Sequence, residues 1–149
     1  MAVVCIEITV FIILFNSLLP VPVSDAQSNA VATAIKPAVQ AVAVDGRNYL
    51  SLTRKLAHVW EFTLLGAELG VLAVLRKKHL PARLGAALAC GLFVGLVDET
   101  VQIFSLRGPK IQDVWLDGLG VFLGLAAIAL VYGAACLIRR RKAARRRSA

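Results

Sequence analysis

The sequence predicts an all-α integral membrane protein, a bundle of four transmembrane helices with both termini on the cytoplasmic side. Three observations predict it. The chain of 149 residues is 58% hydrophobic with a mean hydropathy of +0.74, above the apolar share of a soluble domain. Its apolar residues gather in four stretches, each near the ~20 residues that cross a ~30 Å hydrocarbon core. Its basic residues cluster at the ends of those stretches, where they anchor helices beside anionic headgroups. A soluble core this apolar would leave large patches exposed to water. Helices are the expected spanning form because each satisfies its own backbone hydrogen bonds. The stretches are too long and too uniformly apolar for barrel strands.

The first stretch, Val3 to Leu19 within residues 1–20, carries Glu7 and Asn16 and stops at Pro20 and Pro22. With Ser24, Asp25 and Ala26 behind it, it also looks like a signal peptide with its cleavage site, or an uncleaved signal-like segment. No basic residue precedes its apolar run, where a signal peptide normally has one. Residues 21–51 form an extracytoplasmic link. Between Ser28 and Val44 its apolar residues follow a helical period broken at Pro37, as in a segment lying on the membrane surface. The remaining stretches run from Val59 to Leu75, Leu84 to Phe104 and Val114 to Ile138. Residues 52–138 are thus expected to form a three-helix core, and residues 139–149 a basic cytoplasmic tail.

Charge sets the orientation. Arg76, Lys77, Lys78 and Arg83 lie in one link, and seven of the 17 basic residues fall in the tail. Both groups belong in the cytoplasm. The link around Arg107 and Lys110 then faces outward with residues 21–51. The net charge of +8 raises nucleic acid as a partner, but the basic clusters flank apolar spans and lack interleaved aromatics, so none is expected. Cys5, Cys90 and Cys136 sit inside apolar stretches without metal-ligand spacing and read as small hydrophobes. No metal site and no other cofactor is predicted from these residues, and whether a metal sits among the carboxylates stays open. Gly66 and Gly70, Gly91 and Gly95, and Gly120 and Gly124 each give G-x-x-x-G, which lets helix backbones approach closely. These faces fit packing within one chain or a homo-oligomer.

Polar residues concentrate at the outer ends of three stretches. They are Arg54, Lys55, His58 and Glu61 on the second, Asp98, Glu99 and Gln102 on the third, and Asp113 and Asp117 on the fourth, with Arg107 between the last two. An ionised side chain at the bilayer centre costs about 2.5–3.5 kcal/mol even on lenient scales. Charges kept in such stretches therefore mark a candidate site. Spacings of three and four put Arg54 with His58, His58 with Glu61, Asp98 with Gln102, and Asp113 with Asp117 on shared helix faces. Asp98 and Glu99 are adjacent and point about 100° apart, so one is expected to face the bundle and the other a partner or water. Glu68 lies deeper on the face of Glu61 and reads equally well as a packing residue.

At these residues the sequence resembles the VanZ-like family of bacterial membrane proteins, of the teicoplanin-resistance type. The resemblance rests on Arg54-Lys55-Leu56-Ala57-His58-Val59-Trp60-Glu61-Phe62 with Leu65-Gly66. It continues in Asp98-Glu99-Thr100-Val101-Gln102, in Arg107-Gly108, and in Asp113 followed by Asp117-Gly118. It covers about Leu52 to Leu125. Asp117 stands where the family pattern usually has Asn. The resemblance implies a small multi-pass protein of the bacterial cytoplasmic membrane, some of whose relatives are associated with lowered susceptibility to lipid-tailed glycopeptides. The residues themselves suggest an outer-leaflet pocket in which Arg54, Lys55 and Arg107 meet phosphate or carboxylate. Asp98, Glu99, Gln102, Asp113 and Asp117 would orient them. The expected partners are membrane lipids, an envelope precursor or a lipoglycopeptide. The alternative is a membrane enzyme acting on a lipid-linked substrate, with His58 and Glu61 as an acid/base pair and the acids positioning substrate or a hydrated cation. A proton-coupled carrier using Glu68 and Asp117 ranks below both.

Overall fold

The computed structural model describes residues 1–40, 49–76, 79–104 and 111–147. Five helices follow one another: α1 (Ala2–Leu18), α2 (Val21–Gln40), α3 (Tyr49–Leu75), α4 (Leu80–Phe104) and α5 (Ile111–Arg147). No strand occurs among the described residues. Three helices are long and apolar enough to cross a membrane, over Leu52–Leu75, Leu80–Phe104 and Ile111–Arg146. The 17 residues of α1 reach only about 26 Å. They meet Pro22–Val31 at a 115° bend, and the bent pair counted as one broken span brings the number to four.

The burial pattern inverts that of a soluble protein. Thr9, Ser17, Thr53, Asp98, Glu99, Gln102 and Asp117 are buried, whereas Phe11, Trp60, Phe93, Phe122, Leu130 and Val131 are exposed. Such an exterior is stable only where lipid covers it. The chain is a multi-pass membrane protein. Its two tryptophans, Trp60 and Trp115, both project outward near the end of the bundle that holds the acids. Tryptophan is enriched at that depth in membrane helices.

Proline ends α1. Pro20 cannot continue an i→i−4 ladder, and it pushes Leu19 out of the helical region, to φ −64 and ψ 134. The Pro20 carbonyl then accepts the amides of Val23 and Ser24 at 3.0 and 3.1 Å, which starts α2. The expected break at Pro37 is not observed, since α2 runs on to Gln40. A proline removes one ladder bond, and the helix tolerates that loss near its end. The boundaries of the other spans also move outward. The helix expected from Val59 begins at Tyr49, ten residues earlier, so Arg54, Lys55 and His58 lie within it. The last helix continues through the basic tail to Arg147.

Glycine sets how closely the core helices pack. α3 and α5 make the most extensive contact of the fold, and both pack on α4. They run parallel, with Gly66 against Val121 and Gly70 against Ile128. At Gly120 an added Cβ would lie 2.7 Å from the Val59 carbonyl, and at Gly124 it would meet the backbone of Thr63, Gly66 and Ala67. Gly91 faces the Val121 side chain in the same way. The G-x-x-x-G faces are thus used inside this chain. Around them Phe62, Leu65, Leu69, Ala87, Val121 and Leu125 form the apolar core, joined by Ile13 from α1.

Candidate functional site

Depth along the helices brings the acids together. His58 lies six residues in from Leu52, Asp98 six residues in from Phe104, and Asp117 six residues in from Ile111. Each is therefore about 9 Å inside the same end of the bundle. Because α4 runs opposite to α3 and α5, the three side chains meet. His58 Nδ1 lies 3.6 Å from Asp117 Oδ1 and 3.9 Å from Asp98 Oδ2. Both aspartates are fully buried, and the His58 side chain retains 25% exposure.

Hydrogen bonds fix Asp98. The Ser17 hydroxyl donates to its Oδ1 at 2.6 Å, and the Gln102 amide donates to its Oδ2 at 3.0 Å. The same amide lies 3.4 Å from Glu99 Oε1. Asp98 and Glu99 are both buried, so the expectation that one of them turns away from the bundle is corrected. The i+4 spacing of Gln102 lets one amide serve two adjacent carboxylates. Asp117 differs from Asp98, for among the described residues neither of its oxygens has a hydrogen-bond partner, and His58 Nδ1 and Asp113 Oδ1 are also without one. Gly95 leaves space beside Asp117, since a Cβ there would lie 3.2 Å from the Asp117 Cβ.

α1 supplies groups that the sequence reading left out. Asn16 donates to Glu61 Oε1 at 2.9 Å, and Thr9 donates to Glu68 Oε1 at 3.1 Å. These pairs run in opposite senses along the two helices, as antiparallel packing requires. Thr9, Ile13 and Ser17 are the buried residues of α1. Their four-residue spacing on an otherwise apolar helix was the available signal.

The remaining expected residues divide. Glu61, Arg54 and His58 line a pocket of about 430 Å³ together with Asn16 and Ser17 from α1 and Ser24, Gln27 and Ser28 from α2. Arg54 is exposed at this pocket, and Lys55 is half-buried on α3 outside its lining. Asp113 is half-buried one turn from Asp117. Arg107 lies outside the described residues, as does Lys110.

Three helices thus bring a His and two Asp to one depth, and two further helices wall a pocket above them. Residues 2–132 match the family model described as VanZ/LLP1. The chain belongs to the VanZ/LLP1 family. The match is longer than the Leu52–Leu125 resemblance and takes in α1, which donates to Glu61, Glu68 and Asp98, and α2, which helps wall the pocket. No curated protein and no solved structure matches the chain.

Proposed function

We propose that this VanZ/LLP1 member binds the anionic headgroup of a lipid or envelope precursor at the outer face of the bacterial cytoplasmic membrane. In doing so it lowers susceptibility to teicoplanin-type lipoglycopeptides. The observation that carries the reading is the pocket between α1, α2 and α3, with Arg54 at its exposed side and His58 and Glu61 in its lining. A guanidinium suits phosphate or carboxylate through paired N–H donors. Ser24, Gln27 and Ser28 from α2 offer neutral hydrogen bonds to the rest of a headgroup. The basic residues from Arg139 to Arg147 lie at the opposite end of α5 from Asp117. The positive-inside rule puts that end in the cytoplasm and the pocket outside.

The test is native mass spectrometry of the protein released from membranes, paired with a susceptibility assay at matched expression. Native protein should retain an anionic lipid species and confer protection. Arg54→Ala and His58→Gln, both changes in the pocket lining, should lose both, with roughly tenfold weaker retention for each 1.4 kcal/mol of lost binding. An unchanged lipid complement and unchanged protection in both variants would discard the proposal.

One observation favours a second reading, a membrane enzyme on a lipid-linked substrate. His58 stands between two carboxylates and reaches the pocket lining, as a general base oriented by acids does. Envelope lipid profiles with and without the protein separate the readings. A gained or lost lipid species supports catalysis, and an unchanged profile supports binding.

A further inference from the structure

Asp117 poses a problem that the headgroup reading does not solve. It is fully buried, and among the described residues both of its carboxylate oxygens lack a hydrogen-bond donor and the facing His58 Nδ1 makes no hydrogen bond. Buried carboxylates are ordinarily paired, hydrogen-bonded or metal-bound. We propose that His58 Nδ1, Asp98 Oδ2 and Asp117 Oδ1 form a binding site for one divalent transition-metal ion, of the Mn²⁺ or Zn²⁺ class.

Geometry supports this. The three residues come from three different helices, and one ligand atom from each lies within 4.8 Å of the others. Metal–ligand distances of about 2.0–2.1 Å put neighbouring ligands about 3.3 Å apart. The His58–Asp117 separation of 3.6 Å needs little closure to reach that value, and the His58–Asp98 separation of 3.9 Å needs somewhat more. One imidazole with two carboxylates suits Zn²⁺ or Mn²⁺ better than Ca²⁺, which takes an all-oxygen shell. Three protein ligands leave a coordination position open, as in metal sites that engage a ligand.

The surroundings resemble those of a built site. Asp98 is oriented by Ser17 at 2.6 Å and Gln102 at 3.0 Å, the outer-shell hydrogen bonds that metal-binding carboxylates typically have. Gly95 leaves room for the Asp117 carboxylate, with a Cβ there 3.3 Å from Oδ2. His58 belongs both to this triad and to the pocket lining. A bound cation would therefore lie at the inner side of the pocket, where an anionic oxygen can reach it. The competing arrangement is His58 bridging the two aspartates without a metal.

The experiment uses the full chain in detergent, stripped with chelator, dialysed against Mn²⁺ or Zn²⁺ alone and freed of excess. Metal content by mass spectrometry should be about one ion per chain for native protein and for Glu68→Gln, whose carboxylate lies outside the triad. His58→Gln and Asp117→Asn should retain less by more than the roughly 10–100-fold that outer-shell changes cost. A second measurement needs no variant. With ¹⁵N-labelled histidine, Zn²⁺ should move the His58 Nδ1 resonance and leave that of His79 unchanged. Native protein without bound metal, triad variants that keep it, or an unmoved His58 resonance would overturn the proposal and leave the metal-free contact of His58 with the two aspartates. Metal binding is measured without lipid, so its failure is distinct from failure of the headgroup reading.

Discussion

Gly124→Leu is expected to separate α3 from α5 and abolish the packed bundle. At Gly124 a Cβ would meet the backbone of Thr63, Gly66 and Ala67 rather than the end of a flexible side chain. Backbone cannot rotate away, so the helices must part. The cost should exceed the roughly 1–3 kcal/mol of ordinary overpacking. Parting would also draw Asp117 away from His58, because the two helices carry those residues. Gly133→Leu is the matched control, since a Cβ there meets nothing within 4 Å. Thermal unfolding in detergent should show a large drop for Gly124→Leu and little change for Gly133→Leu. Equal stability of the two variants would contradict the packing described for α3 and α5.

Asp98→Ala should destabilise the protein by about 3–5 kcal/mol, the usual result of removing one member of a buried charged network. The substitution leaves the Ser17 hydroxyl without its acceptor. It also takes from the Gln102 amide its shorter bond and from His58 one of two acidic neighbours. Asp98→Asn should cost less, because its carbonyl oxygen can still accept one of these donors. Chemical unfolding of the two variants and the native protein in micelles measures the order. A loss below about 1 kcal/mol for Asp98→Ala, near the value of one average hydrogen bond between membrane helices, would show that the network contributes little.

The spans of the core and their polar ends were legible in the sequence for physical reasons. Lipid demands long apolar runs, and within such a run His58, Asp98 and Asp117 stand out because charge there is costly. Reading their depth needed only the helical rise. The contribution of α1 was not legible in the same way. Asn16, Ser17 and Thr9 are small uncharged groups that any membrane helix tolerates, and their partners Glu61, Asp98 and Glu68 are 45, 81 and 59 residues away. The direct meeting of His58 with Asp98 and Asp117 was not legible for a related reason. Local spacing rules detect ligands carried on one helix or loop, whereas these three come from α3, α4 and α5. Asp98 beside Glu99 misled in a third way. A 100° offset predicts different directions, but at the meeting of four helices both directions lead inward.

The most direct test of the account is a distance measured in a lipid bilayer. The chain has only two histidines, His58 and His79, and His79 is exposed in the link between α3 and α4 at the other end of the bundle. With ¹⁵N-histidine and carboxyl-¹³C aspartate, dipolar dephasing by solid-state NMR reports how near each imidazole nitrogen lies to an Asp carboxyl carbon. One histidine should dephase strongly, at a distance within about 5 Å given the bond from carbon to oxygen, and His58→Gln should remove that signal. No dephasing at either histidine would mean that His58, Asp98 and Asp117 do not meet.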